Sequence, residues 1–350
     1  MDLSRRHLAK LALAVAASSA IEPGGVLAQA RSARDELWFI NPELRGFVKQ
    51  VKPFIDKMPR FTLANLPTLR KGFTPPQPPL PAVPWEKRVI GGAAGQPDVT
   101  VYVINSRPGQ LRGGILHTHG GGFVTGNVAG DLVWLQELAR AVDCCIVSVD
   151  YRLAPETDYR GSTEDNYAGL RWLHRSAESL GIDPARIAVM GESAGGGHAA
   201  LLALLARDRG EVPLAFQCLT YPMLDDRTGS TRAAPHPIGA FGWSAADNAF
   251  GWRSFLGMKP GGRNVPEAAV PARHRDLAGL PPAWIGVGSI DLFVSEDLAY
   301  AERLIEAGVA VETLVSPGAF HAFDRFPVGA EVANAFNAAR IAALRRALKG

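Results

Sequence analysis

The amino-acid sequence predicts an α/β fold, a mostly parallel sheet with helices on both faces. Three observations carry that expectation. From Trp85 onward, short apolar runs suited to strands alternate with stretches of helical periodicity. One such unit, Ile187–Arg207, reads IAVMGESAGGGHAALLALLAR, a strand, a glycine-flanked serine turn and a helix in direct succession. A second glycine cluster, HGGGF at His119–Phe123, directly follows the apolar run Gly114–Thr118. A chain of 350 residues is long enough for one large domain of this kind or for such a domain with a cap.

In chain order, Met1–Ala30 has the form of an export signal. Ser4-Arg5-Arg6 and Lys10 precede an Ala/Leu-rich stretch from Leu11 to Ala20, and Ala28-Gln29-Ala30 supplies an A-x-A cleavage site. The paired arginines resemble a twin-arginine signal, so residues 1–30 are set aside from the fold. The expected location is periplasmic or secreted, with the twin-arginine export machinery as a partner of the precursor. Residues 31–73 space Leu37, Trp38, Phe39, Phe47, Phe54, Phe61 and Leu66 among charges, which predicts one or two helices. Pro75–Pro84, PPQPPLPAVP, suits neither a helix nor a central strand and reads as an extended connector.

Strands are expected at Trp85–Ile90, Val99–Ile104, Gly114–Thr118, Cys144–Val149, Ile187–Met190, Leu214–Leu219, Ala283–Val287 and Val309–Val315. The first two form a hairpin-like start, which makes the sheet mixed. Helices are expected at Leu132–Val142, Tyr167–Leu180, after Ser193, at Leu298–Ala307 and at Glu331–Leu348. Between Tyr221 and Leu280 the alternation breaks. Trp243, Phe250, Trp252 and Phe255 there mark a helical insertion over Ser244–Leu256, capped by Ser244 or Asp247. Placed after a strand end, the insertion hangs over the serine side of the sheet and pairs with residues 31–73 as a cap. The resulting division is 1–30 signal, 31–80 cap segment and linker, 81–221 with 273–350 catalytic domain, and 222–272 cap insertion.

Bulk properties exclude several classes. The net charge of +3 arises from 37 basic and 34 acidic residues spread along the chain, which gives no case for nucleic acid. Three cysteines, two of them adjacent in a strand, make neither a disulfide framework nor a metal site. No stretch is long and apolar enough for a stable membrane span. No metal or cofactor is called for, and the oligomeric state is left open, a homo-oligomer included.

The chemistry gathers around Ser193. G-E-S-A-G is the G-x-S-x-G nucleophile-elbow pattern, with glycines at the two places where side chains collide in so sharp a turn. The following helix N-terminus offers free N–H groups to a developing negative charge. Consecutive glycines at 120–122 let main-chain N–H groups approach a ligand, which suits an oxyanion hole better than a phosphate loop, since no Walker pattern is present. Asp291 and His321 each lie beyond the carboxyl end of an expected strand, as Ser193 does, and open parallel sheets collect their sites on that edge. The order Ser, Asp, His completes a nucleophile, an acid and a general base. His117, His174, His198, His236 and His274 lack that placement and read as packing or surface groups.

The runs HGGGF, YRLAPE at Tyr151–Glu156, GESAG, GSIDLF ending at Phe293 and PGAFHAF ending at Phe323 occur in that order. In this combination the chain from about Trp85 to its C-terminus resembles the hormone-sensitive-lipase-like family of α/β-hydrolase carboxylesterases. The resemblance implies an α/β-hydrolase fold with an eight-stranded sheet and a helical cap, and cofactor-free hydrolysis of short or medium acyl esters. It also implies Ser193 as nucleophile, Asp291 as acid, His321 as base, and the N–H groups of Gly121, Gly122 and Ala194 as oxyanion donors. His119 matches the histidine that shapes the oxyanion loop beside Gly120. Two departures stand out. Glu192 replaces a common aspartate, and D-L-F-V-S-E at Asp291–Glu296 puts Ser295 where many relatives have a second aspartate. An amidase or deacetylase using the same triad, and a non-catalytic small-molecule binding protein, are the competing readings.

Overall fold

The computed structural model describes residues 37–72, 77–325 and 329–349. The expected signal at 1–30 lies outside them. Eight strands form one sheet: β1 (Trp85–Ile90), β2 (Val99–Ile104), β3 (Arg112–Thr118), β4 (Cys145–Asp150), β5 (Ile182–Glu192), β6 (Phe216–Thr220), β7 (Ala283–Gly288) and β8 (Val311–Ser316). Their order is β1-β2-β4-β3-β5-β6-β7-β8. β1 and β2 pair antiparallel, β2 meets β4 antiparallel, and every pairing from β4 to β8 is parallel. The expected mixed sheet with an early hairpin is therefore the one that forms.

Burial explains why these runs are strands. β3 and β6 are buried along their whole length, polar Arg112, His117, Thr118, Gln217 and Thr220 included, as central strands covered on both faces are. β1 lies at the edge and is exposed except at Ile90, with Glu86, Lys87 and Arg88 discouraging further pairing.

Helices α1 (Pro42–Ile55) and α2 (Leu66–Gly72) precede the sheet. Between the strands lie α3 (Val128–Val142), α4 (Tyr159–Arg175), the short α5 (Ala177–Leu180), α6 (Ala194–Arg209), α7 (Ala245–Leu256), α8 (Val294–Glu306) and α9 (Glu331–Leu348). α4 packs on α6 and α3 on α9, which gives the sheet a helical layer on each face. The proline-rich connector is held by a buried amide. Gln136 of α3 accepts from Leu80 N–H (2.8 Å) and donates to the carbonyls of Leu80 (3.0 Å) and Val83 (2.5 Å).

α3 and α8 each begin four residues before their expected starts, at Val128 and Val294, and two elements depart further, for identifiable reasons. α4 starts at Tyr159, eight residues before the expected Tyr167, under an N-cap from Asp158. Its first turns bury polar residues, Ser162, Thr163, Asp165 and Asn166, so an apolar periodicity is absent there. Asp165 is held by Arg152, whose Nε donates to it at 2.8 Å. The expected single helix also breaks at Ser176, leaving α5 as a separate turn closed by left-handed Gly181. β5 begins five residues earlier than expected, at Ile182, because Arg112 of β3 pairs with Ile182 across an irregularity in the ladder.

Helical elements form a cap. Asn41 caps α1, accepting from Glu43 N–H at 3.0 Å, and its own amide groups bind the carbonyls of Pro317 and Gly318 just before His321. Ser244, of the two expected candidates, caps α7, accepting from Asp247 N–H at 3.2 Å. Arg60 joins the two parts of the cap by donating to Ser244 Oγ (2.7 Å) and Asp247 Oδ2 (2.9 Å).

Candidate active site

The turn after β5 puts Ser193 at φ 57°, ψ −121°, a conformation few non-glycine residues adopt. The elbow is tight enough to require its flanking glycines. A Cβ on Gly191 would lie 2.3 Å from the Gly195 carbonyl, and one on Gly195 would lie 2.0 Å from the Thr118 oxygen. Thr118 Oγ1 locks the same contact by donating to Gly195 O at 2.7 Å. Ser193 stays 8% exposed, at the amino end of a helix whose first N–H groups have no acceptor within the helix.

His321 Nε2 lies 3.0 Å from Ser193 Oγ, and its Nδ1 lies 2.8 Å from Asp291 Oδ2. Asp291 is fully buried, and its other oxygen accepts from Phe293 N–H at 3.0 Å. The rings of Tyr221 and Phe293 meet the imidazole edgewise at 4.9 and 5.1 Å, which restricts its rotation. With Asp291 accepting at Nδ1, Nε2 is left free to accept the serine proton.

The loop after β3 faces the same serine. Gly121 has φ 122° and Gly122 φ 60°, and a Cβ on Gly121 would stand 2.1 Å from the Thr125 carbonyl. Among the described residues no backbone carbonyl accepts from the N–H groups of Gly121 or Gly122. A Cβ on Gly120 would lie 3.0 Å from the Glu192 carbonyl, so this loop and the elbow are in close contact. His119 Nδ1 donates to the Gly120 carbonyl at 2.8 Å, and its ring stacks on Tyr151 at 4.1 Å. Burial lowers the His119 pKa, keeping the ring neutral against the partly opposing pull of that carbonyl.

Glu192 points away from the reacting groups, with its Oε2 3.0 Å from His117 Nε2, and His117 Nδ1 meets Ser148 Oγ at 2.8 Å. Burial raises the Glu192 pKa, but adjacent His117, with Arg325 and Arg340 further off, outweighs it and holds the carboxyl below its usual range. The extra methylene of glutamate thus reaches a partner one strand over. At the second departure, Ser295 is exposed, and the next residue, Glu296, carries the hydrogen bonding. Its buried Oε1 accepts from Leu224 N–H (2.7 Å) and Asp225 N–H (3.1 Å).

All nine candidate residues named from the sequence converge on one strand edge. Sequence reasoning gave no role to Tyr151, whose hydroxyl donates to His119 O at 2.7 Å, or to Thr118. The YRLAPE run directly after a strand was the available signal for Tyr151. Of the two tryptophans in the cap insertion, Trp243 is the one that reaches the site, where its indole would lie 2.5 Å from a Cβ on Gly122. Trp252 is fully buried against Phe123 and Phe255 at 5.1 and 5.9 Å.

A buried serine and aspartate with a half-buried histidine between them at the carboxyl edge of this sheet, beside a glycine loop whose N–H groups meet no backbone carbonyl among the described residues, define a serine hydrolase site. A family model described as alpha/beta hydrolase fold matches residues 115–325, and the chain belongs to that family. It is 37% identical over 286 residues to Carboxylesterase NlhH of Mycobacterium tuberculosis, covering 80% of this chain and 88% of the relative. It is 31% identical over 255 residues to an ethyl acetate hydrolase of Pseudomonas putida, covering 68% and 79% of the two chains. Among solved structures, Bacterial Heroin Esterase superposes with a TM-score of 0.80 at 34% identity, covering 90% of this chain and all of the other. The esterase LipW from Mycobacterium marinum gives 0.74 at 32% identity, covering 89% and 97%. The protein is accordingly an ester-hydrolysing enzyme of the carboxylesterase type.

Proposed function

We propose that the enzyme hydrolyses short- to medium-chain acyl esters through an acyl-enzyme formed on Ser193. The observation that carries this reading is the continuous line Asp291–His321–Ser193, with contacts of 2.8 and 3.0 Å, set against the glycine loop. His321, oriented by Asp291, takes the Ser193 proton as Oγ attacks the ester carbonyl, and the oxyanion forms against the N–H groups of Gly121, Gly122 and Ala194. His321 returns that proton to the departing alcohol. Water, with His321 again as base, then releases the carboxylate.

In this reading residues 31–80 and 222–272 are the cap, and 81–221 with 273–350 the catalytic domain. The cap makes the cavity finite, favouring acyl groups of about two to eight carbons. The small ester in the name of the Pseudomonas relative points in the same direction. Residues 1–30 direct twin-arginine export, so the mature enzyme begins at Arg31. Fractionation and N-terminal sequencing in the native host test this, and a full-length cytoplasmic product independent of that machinery refutes it.

Ser193→Ala tests the chemistry. Because the triad acts as a unit, kcat for p-nitrophenyl butyrate is expected to fall by about 10⁶-fold while the fold persists. A fluorophosphonate is expected to label the parent at Ser193 and to leave the variant unlabelled. Retained turnover with labelling elsewhere identifies a different nucleophile. A parallel panel of amides separates esterase from amidase chemistry.

A further inference from the structure

At the opposite edge of the sheet, where β3 begins, the surface opens into a cleft of about 400 Å³. Among the described residues its walls carry Arg112, Arg186, Arg345 and Lys349 against one carboxylate, Asp143. α9 closes over β3 there because position 113 is glycine, since a Cβ would lie 2.6 Å from Leu348 Cβ.

The charge balance of this cleft is incomplete at its base. The Arg112 side chain is only 9% exposed, yet its one ionic partner among the described residues, Asp143 Oδ1, is 3.4 Å away and 68% exposed. Arg107 shares that same oxygen, also at 3.4 Å. One Arg112 amino group donates to the Asn105 carbonyl at 2.6 Å, the other reaches Asp143 only at 3.4 Å and is the part of the guanidinium that faces the cleft, and the Nε is closed off from solvent without a partner among the described residues. A guanidinium so far removed from water ordinarily has a close anion, because desolvating an unpaired charge is expensive. The neighbouring cations are only partly engaged. Arg345 uses Nε on the Ala141 carbonyl at 2.8 Å, whereas Arg186 is the more engaged, with Nε on Asp183 at 2.8 Å and an amino group on the Leu111 carbonyl at 2.9 Å. Those contacts satisfy the carboxyl ends of α3 and neighbouring turns while leaving donors over.

Leu111, 65% exposed, and the buried Val142 and Leu348 line the same cleft. Inorganic phosphate has no use for such a wall, whereas an anion with a short hydrocarbon tail does. We propose that this cleft binds a small monocarboxylate, its head on Arg112 and Arg345 and its tail along Leu111. This is the chemical class that the proposed reaction releases, and the cleft's geometry is independent of that reaction.

Isothermal titration of the full chain with sodium butyrate, and separately with sodium phosphate at matched low ionic strength, tests the site. Saturable one-to-one binding of butyrate, tighter than that of phosphate, is expected. The double substitution Arg345→Gln, Lys349→Gln is expected to weaken butyrate by about tenfold, the value of one charge-assisted hydrogen bond. Both positions are exposed, so the variant is expected to hydrolyse p-nitrophenyl butyrate at the parental rate. Arg112→Gln is expected to remove binding altogether. Absence of saturable butyrate binding overturns the proposal, as does binding that the double variant leaves unchanged, which places the anion elsewhere. Tighter binding of phosphate than of butyrate overturns the ligand class.

Discussion

Asp297 shows what a single residue can reveal about how this site is built. It lies six residues beyond Asp291, is fully buried, and neither of its carboxyl oxygens has a hydrogen-bond partner among the described residues. Burial, then the charges of Glu296 and Asp291, raise its pKa well above the ordinary aspartate value. Its contribution to stability is therefore fully present below the unfolded-state pKa and is lost as pH rises toward the folded-state value. Asp297→Asn does not titrate. The melting temperature of the variant relative to the parent is expected to rise from about pH 4 to about pH 8, which thermal melts across that range measure. A constant difference shows that Asp297 ionises normally. Gly121 gives a second prediction at this scale. With φ 122° and the Thr125 carbonyl 2.1 Å from any added Cβ, Gly121→Ala must displace the loop. The expected loss in kcat is about 10²–10³-fold, the value of one oxyanion donor, with KM nearly unchanged.

At the scale of elements, the cap insertion divides its aromatic residues between two tasks. Trp252 is a packing residue, and Trp252→Ala is expected to destabilise by about 3–5 kcal/mol without changing acyl preference. Trp243 sits on the oxyanion loop, held by an indole N–H donated to Asn248 Oδ1 at 3.1 Å and by the Phe61 ring at 5.8 Å. Trp243→Ala is expected to move the optimum of kcat/KM toward longer acyl chains, each added methylene gaining about 0.8 kcal/mol until the space is filled. Soluble p-nitrophenyl esters of graded length measure both outcomes. An unchanged optimum removes Trp243 from the substrate cavity. Phe61 and Arg60 come from the N-terminal segment, so that wall is built from two parts of the chain about 180 residues apart, held by the Arg60 contacts with Ser244 and Asp247.

For the molecule as a whole, the parallel sheet gathers the carboxyl ends of β3, β5, β7 and β8 on one edge, where His119, Ser193, Asp291 and His321 follow them. Among the described residues no helix is long and apolar enough to cross a membrane. The described elements of the sheet, cap and site lie within residues 37–349, and a chain beginning at Arg31 is expected to match the full chain in melting temperature and kcat/KM. Circular dichroism melts and ester assays on the two forms measure this. A large loss in the shorter form assigns the first 30 residues a part in the fold.

The sequence by itself determined the strand and helix units, the elbow and the Ser, Asp, His order. These depend on local patterns: apolar period, glycines flanking a serine, and functional residues at strand ends. It also carried the mixed hairpin start and Glu331–Leu348, which the structure reproduces at both ends. It left α4 short, because Asp165 and Asn166 are buried polar residues whose partners lie elsewhere in the chain. It could not separate Trp243 from Trp252, which lie nine residues apart in one insertion with the same aromatic character. Only tertiary packing decided that one indole covers Gly122 and the other fills the space between Phe123 and Phe255. The reach of Glu192 to His117 and the incomplete pairing of Arg112 were likewise decided in the fold. Each depends on distances between strands and helices distant in sequence, which a linear pattern does not record.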